Sequence, residues 1–476
     1  MEMVERLAYY GVKAVAVLYA KQPASEGGLG ITMDVFGNIM LIWAFTQSFV
    51  PIFSGALSDR FGYKETIFAS TVVKIVGYLI MAFFPNYMGF AAGAVVLALG
   101  TGIFKPGIQG TVVNATTRDN RSMAWGIFYQ TVNIGGFIGP LVAGYMRNWD
   151  WAYVFYTCAG IISLNFLFLL MYKEPGKEER LAKERERREQ GEERPNLFKD
   201  SWSELKKPHV WVFLGVFSLF WFMFNALFDV LPAHIDDWVD TKVIVSYFFG
   251  ENGTKSGFWK FMLAMNEDGT VIKPEGLLNL NAAMIMTTCF LFAWLSGKLT
   301  QVGSMLFGTF LATISFFMFG TVTAAFAFVG VIAIFSLGEM FSSPKFNEFM
   351  GNIAPPEKRA MYLGFANLPF AIGWTIEGKL GPWLYGRFAS KDELSRVRLE
   401  ELGMDPAEIG KIPVGEAFKG LVDFTGQTGD ALTAYLYAHN SVGLVWYIMG
   451  LVGILSMIGI FWYGKVVLKA ARRRSA

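Results

Sequence analysis

Charge is scarce in this sequence. Asp, Glu, Lys and Arg make up 17% of its 476 residues, against roughly a quarter in an average soluble globular protein, and that scarcity excludes a chain dissolved throughout in water. The charges present nearly cancel, 41 basic against 39 acidic, so no field is left to gather nucleic acid. Histidine and cysteine are rare too, with three and two residues. Cys158 and Cys289 both stand in apolar runs without metal-ligating neighbours, which excludes a disulfide framework and a zinc site. No nucleophile stands beside a base and no phosphate-cradling loop occurs, so nothing points to an enzyme, a metal or an organic cofactor.

What is abundant is apolar. Hydrophobic residues make up 53% of the chain, and the mean hydropathy is +0.39. A spanning helix needs about 20 apolar residues, so twelve would occupy roughly 240 to 300 positions. Runs between polar punctuation predict helices near 1–20, 33–58, 65–84, 88–114, 121–146, 150–173, 209–235, 277–299, 303–321, 323–350, 359–387 and 441–468. The charged segment 173–208, containing KEERLAKERERREQGEERP, reads as a solvated cytoplasmic linker between an N-terminal bundle, 1–172, and a C-terminal one, 209–476.

Lys and Arg in short loops are retained in the cytoplasm during insertion. Arg60 and Lys64, Arg118 and Arg121, Lys358 and Arg359, and the closing KAARRR all fall on one side. Both termini are therefore expected in the cytoplasm and the long segments 236–276 and 388–440 outside; the first holds a hairpin turn at Asn266–Gly269. No cleavable signal is read, because the first helix opens with Glu2, Glu5 and Arg6 and lacks a basic leader. A helix opening at residue 1 suggests a misplaced start or a trimmed chain.

The halves resemble each other. Leu99-Gly100 with Pro106 recurs as Leu337-Gly338 with Pro344, and Arg121, Met123 and Gly126 recur as Arg359, Met361 and Gly364, both displaced by 238 residues. Gly139-Pro140 before Gly144 is echoed by Gly381-Pro382 before Gly386, displaced by 242. Two six-helix repeats joined by a cytoplasmic linker resemble the major facilitator architecture, whose substrate site lies near the midplane between the halves. The loop from Gly55 to Lys64 is similar to that superfamily's GxxxD(R/K)xG(R/K)(R/K) motif. There Asp59 and Arg60 would hold and release a cytoplasmic gate, or form a plain surface pair.

Ionisable residues in a hydrocarbon layer are functional candidates by default. They are Glu2, Glu5, Arg6 and Lys13 on helix 1, Lys74 on helix 3, Lys105 on helix 4, Asp229 on helix 7, Glu339 on helix 10, and Glu377 with Lys379 on helix 11. Glu2, Glu5, Arg6, Tyr9 and Lys13 recur at spacings of three and four, which places most of them on one helix face. Lys74 reads as snorkelling or locally paired, and Glu377 and Lys379 as paired with one another or with loops. His209 and His234 fall at the ends of helix 7 and suggest no proton-sensing role.

Several of these residues carry a more specific likeness. The segment Glu2 to Gly11 resembles the ExxERFxYYG signature of the proton-dependent oligopeptide transporter family. Gly100 to Pro106 resembles its GTGxxKPN segment, Phe128 to Tyr145 its FYxxINxGSxxxPxxxGY run, Pro274 to Asn281 its PEWFQSLNP segment, and Gly338 to Pro344 its GELxxSP motif. The resemblance implies an all-α membrane protein of twelve helices, with a proton-coupled symporter importing di- or tripeptides across a bacterial plasma membrane by alternating access. It implies a peptide carboxylate met by Arg6 and Lys105, an ammonium met by Glu339, and Tyr9, Lys13, Asn133 and Asn281 completing the binding set. Asn133 and Asn281 could instead only bond between helices. Glu2 and Glu5, acting on Arg6, would be the proton-coupling acids, and no cofactor beyond the proton is implied.

Departures from the family pattern concentrate on helix 7, where Phe220-Trp221-Phe-Met-Phe224-Asn225 places a neutral amide where the family carries an acid. Asp229, one turn on, either takes over that role or caps the outer end before Pro232. Lys13 stands for the usual Arg and loses its bidentate fork. Gly107 and Leu278 replace an Asn and a Gln. Two other readings remain open: a proton-coupled carrier of a different zwitterion or modified peptide, and a non-transporting peptide sensor or scaffold.

Overall fold

Apolar runs placed in a medium without hydrogen-bonding partners must satisfy their own backbone groups, and helices do so within one segment. The computed structural model describes residues 1–116, 121–178, 181–182, 185–186, 202–203, 205–353 and 365–467, and among them twelve helices are long. They are α1 Glu2–Lys21, α2 Met33–Phe61, α3 Tyr63–Phe83, α4 Tyr87–Asn114, α5 Arg121–Met146 and α6 Trp151–Met171, then α7 Pro208–Asp229, α8 Pro274–Gly297, α9 Gln301–Phe319, α10 Ala325–Ile353, α11 Asn367–Phe388 and α12 Leu444–Trp462. Nine of the twelve are long and apolar enough to cross a membrane by length and composition. The other three, α1, α5 and α11, carry Glu2, Glu5, Arg6, Tyr9, Lys13, Asn133, Glu377 and Lys379 among the residues discussed below.

Local chemistry sets several helix starts. Thr32, Asn86, Asp150 and Thr300 each cap a helix by accepting a backbone N–H two or three residues on. Pro51, Pro106, Pro140, Pro344 and Pro382 lie inside α2, α4, α5, α10 and α11. Each removes one helical hydrogen bond and favours a bend.

Packing repeats with the sequence. The pairs α1–α5, α1–α6, α2–α4, α3–α4 and α3–α6 recur six helices later as α7–α11, α7–α12, α8–α10, α9–α10 and α9–α12. The two sets meet where α2 packs on α11 and α5 packs on α8, a pair of contacts that the same shift exchanges. Gly100 and Gly338, matched in sequence, perform matched work. A Cβ on Gly100 would lie 3.1 Å from the backbone N of Lys74, and one on Gly338 would lie 2.7 Å from that of Ala312. Each glycine lets one helix press on its neighbour, and Lys74 and Ala312 are themselves separated by the repeat offset of 238 residues.

The long connections are folded. Residues 231–276 form the short helices Leu231–Trp238, Lys242–Phe249 and Gly257–Met262, followed by the expected turn, in which the Asn266 side chain accepts from Thr270 N at 2.9 Å and Val271 N at 3.0 Å. Helix 7 stops earlier than its apolar run suggested, because the backbone turns at Val230 and a new helix starts with Pro232 in its first turn. Residues 388–440 hold the helices Lys391–Glu401, Pro406–Ile409, Ala417–Thr425 and Gly429–His439. Most of the charged segment 173–208, together with Lys358 and Arg359, lies outside the described residues.

Candidate functional site

The polar face of α1 faces inward along its whole length. Glu2, Glu5, Arg6, Tyr9 and Lys13 are all buried. The Arg6 Nε lies 3.0 Å from Glu2 and 2.6 Å from Glu5, and the second Glu5 oxygen lies 3.2 Å from the Lys74 ammonium. Lys74 is fully buried against the Phe104 ring, 3.8 Å from its centroid, so it does not snorkel. Two carboxylates and two cations make this group neutral as drawn, which suits a dry location.

Lys105 is left over. Its ammonium has no ion-pair partner among the described residues and stands 5.7 Å from the Phe370 ring centroid, though it feels the charges of Glu2, Glu5 and Arg6. It lines a hollow of about 40 Å³ with Gln47, Gln109, Asn367 and Phe370. Across the bundle, Glu339 on α10 is likewise left over. It accepts from Asn281 Nδ2 at 2.9 Å and has no cation partner among the described residues. Asn281 also donates to Ser336 at 3.1 Å.

Glu339 and Asn281 line a second hollow, of about 60 Å³, with Tyr10, Asn133, Phe224 and Phe228. Tyr10, from α1, borders this hollow together with Glu339 of α10. Asn133 donates to the Tyr129 carbonyl at 2.8 Å while its side chain borders the hollow. Both hollows are far smaller than the roughly 300–1,000 Å³ of a small-molecule site. The halves are therefore closed on one another here.

Tyr9 does not stand alone. Its hydroxyl accepts from Gln47 Nε2 at 3.1 Å, and Gln47 Oε1 accepts from Trp43 Nε1 at 3.0 Å, a chain from α1 into α2.

Lys13, expected among the ligand-binding residues, is held elsewhere. It forms an ion pair with Asp229 of α7, 4.4 Å from the Trp374 ring centroid, and Trp374 Nε1 donates to the other Asp229 oxygen at 2.8 Å. Asp229 is thus a partner across the halves and not a helix cap. Glu377 is buried beside this pair, whereas Lys379 reaches Asp34 of α2 at 2.5 Å, so Glu377 and Lys379 are not paired with one another.

Further ion pairs join the halves at the end of the bundle where α1 finishes. Lys21 lies 2.7 Å from Asp236 and 2.6 Å from Asp237, and Arg147 grips Glu275 through two bonds of 2.8 and 3.1 Å. Ser25 also meets Glu416. The side chains of Asp59 and Arg60 lie outside the described residues.

Sequence reasoning marked Lys74 and Glu377 as charges in apolar runs without finding their neighbours. It missed Gln47 and Arg147, which carry no anomaly in a linear reading, and it placed Glu275 within the Pro274–Asn281 segment without giving it a role.

Beyond the His234 ring, near the same end, the chemistry is aromatic. His234 is buried, with Phe328 and Trp446 against it, and its Nδ1 accepts from Trp446 Nε1 at 3.1 Å. Burial, with a smaller contribution from the Lys21 charge, pushes its pKa down to about 3, so the ring is neutral at physiological pH.

A family model described as Major Facilitator Superfamily matches residues 7–376. The peptide transporter YePEPT of Yersinia enterocolitica is 29% identical over 162 residues, 32% of this chain and 31% of that protein. The multidrug resistance protein MdtH of Photorhabdus laumondii is 22% identical over 361 residues, 75% of this chain and 79% of that protein. The alignment with the peptide transporter thus spans about a third of either chain. Among solved structures, a POT family transporter in complex with 5-aminolevulinic acid superposes with a TM-score of 0.67 at 16% identity, covering 98% of this chain and 94% of the other. That likeness is one of fold.

Proposed function

This chain belongs to the Major Facilitator Superfamily, and from that premise we propose that it is a proton-coupled symporter importing di- or tripeptides. The observation that carries the reading is the pair of unmatched charges on opposite halves. Among the described residues Lys105 on α4 and Glu339 on α10 are both left without an ion-pair partner, while Glu2, Glu5, Arg6 and Lys74 balance one another. A ligand with a carboxylate at one end and an ammonium at the other complements that arrangement.

Arg6 can join Lys105 at the ligand carboxylate once its own acids let go. Protonation of Glu2 or Glu5 removes part of the hold on Arg6, so proton loading and ligand binding become linked. Asn281 and Asn133 border the ligand site from either half. In this reading the halves 1–172 and 209–476 rock about the midplane, the termini lie in the cytoplasm of a bacterial cell, and the ion pairs at the end of α1 form the closed outer gate. No cofactor beyond the proton is required.

The test is uptake of a labelled dipeptide into liposomes containing the purified protein, with and without an inside-alkaline gradient. Concentrative uptake that collapses with a protonophore is the expected result. Its absence in folded protein overturns the reading and moves weight to another zwitterion first, then to a peptide sensor or scaffold.

The long alignment with the multidrug resistance protein MdtH favours a second reading, transport of a compound other than a peptide, in which Glu339 binds the cargo and Lys105 does not. Dipeptide uptake that is lost in Lys105→Ala is expected on the first reading and not on the second.

A further inference from the structure

The Lys13–Asp229 pair has a third member that it cannot satisfy. Glu377 of α11 is fully buried, and neither of its oxygens accepts from a donor among the described residues; the Asp229 carboxylate stands within reach of a carboxyl–carboxyl hydrogen bond, which needs a proton between them. It is close enough to interact electrostatically with Asp229 and Lys13, one turn past Trp374, the residue that donates to Asp229. Gly381 makes room for it: a Cβ there would lie 2.2 Å from Glu377 Oε1 and 3.0 Å from a Val230 methyl. The carboxyl is thereby tucked between α11 and α7.

The groups around it are few. Lys13 comes from α1 and Asp229 from α7; α2, which packs along the same stretch of α11, presents Met40 to Gly378, and its Asp34 is taken by Lys379. One cation therefore serves two buried carboxyls. Both Asp229 oxygens are engaged, one by Lys13 and one by Trp374. An ionised Glu377 would be a buried anion without a counter-charge or a donor, which is strongly unfavourable. Glu377 can stay ionised only where water reaches it, which means with the halves parted at this end.

We propose that Glu377 is a proton-binding residue of the outer gate, and that the gate closes only when this carboxyl is protonated. With the halves apart, Glu377 meets the outer solution and takes one proton on a carboxylate oxygen. Lys13 then returns to a site holding a single negative charge, on Asp229, and the buried set is neutral. The proton travels with the closed gate. The inference rests on the reading of a proton-coupled carrier and gives that carrier a second acid site, separate from Glu2 and Glu5.

Gate position can be measured without any substrate, so failure of the peptide reading is distinguishable from failure of this one. Spin labels go on Ala24→Cys and Glu400→Cys, both exposed and on opposite halves, in full-length protein with Cys158→Ala and Cys289→Ala. The distance between labels is then followed across pH in liposomes. In the parent protein the short-distance population is expected to give way to a longer one as pH rises. Glu377→Gln, which is permanently neutral, is expected to stay short over the same range, while Glu377→Asp keeps a pH-dependent shift. In uptake, Glu377→Gln is expected to lose at least tenfold of both proton-driven accumulation and counterflow exchange, because an outer gate that stays closed blocks either mode, while Glu377→Asp retains both. A Glu377→Gln gate that opens with pH like the parent, or a parent gate that does not move with pH, overturns the proposal.

Discussion

One oxygen of the Glu5 carboxylate lies 2.6 Å from Arg6 Nε and the other lies 3.2 Å from the Lys74 ammonium, so a single acid is shared by a neighbour on its own helix and a lysine from α3. This sharing decides which charges are spent on the fold and which remain for a ligand. Glu2, Glu5, Arg6 and Lys74 balance among themselves, and Lys105 stays uncommitted.

Uncommitted charges make the sharpest prediction. Lys105→Ala and Glu339→Gln are each expected to lower dipeptide uptake at least tenfold, because removing one side of a desolvated charge contact costs roughly 2–5 kcal/mol. Size-exclusion profiles and melting curves should match the parent. Normal uptake by both variants would sink the site assignment.

Lys74 should behave differently, as a residue of the fold. Lys74→Met leaves one Glu5 oxygen buried and bare, and breaking a buried pair costs on the order of 3–5 kcal/mol. A clear fall in melting temperature is expected in detergent, with partial recovery in the double variant Lys74→Met, Glu5→Gln. Equal melting of the parent and the single variant would show that the contact contributes nothing.

Asp229→Asn should weaken accumulation against a gradient while sparing exchange, since it removes the acid that holds Lys13. Glu377 stands beside the vacated position, so its carboxylate can take over Lys13. The double variant Asp229→Asn, Glu377→Gln leaves Lys13 with neither acid, and its accumulation is expected to fall further than the product of the two single effects. Simple multiplication of the effects would argue that the two acids act independently.

Acid should destabilise the protein through His234. Its folded pKa is about 3 against an ordinary 6.5, so between those values the unfolded chain binds more protons than the folded one. Stability therefore rises with pH across that window and is lost as pH falls through it. His234→Gln, which can still accept from Trp446, should flatten the fall in melting temperature from pH 6.5 towards 4. An unchanged acid slope would place the sensitivity in other groups.

The architecture was legible in one dimension because its signals are local. Apolar runs of spanning length located all twelve long helices, and the offset of 238 residues foretold the matched seats of Gly100 and Gly338. Helix 7 was read too long because apolar composition continues past Val230, while the backbone turns there. The hydrogen bonds of the Asn266 turn came from a short polar motif and were legible for the same reason.

By itself the sequence determined the solvent, the number of long helices, the duplication and the short inventory of charges that a membrane interior has to accommodate. Only the tertiary structure decided who neutralises whom. Lys13 and Asp229 are 216 residues apart, as are Lys21 and Asp237, and nothing in either neighbourhood specifies the other. Charge pairing in a dry interior depends on which helix faces come within a few ångströms, and that is fixed by glycine seats and helix crossings along the whole chain. The same packing left Lys105, Glu339 and Glu377 without an ion-pair partner among the described residues, and those three residues are where the chemistry of this protein is expected to lie.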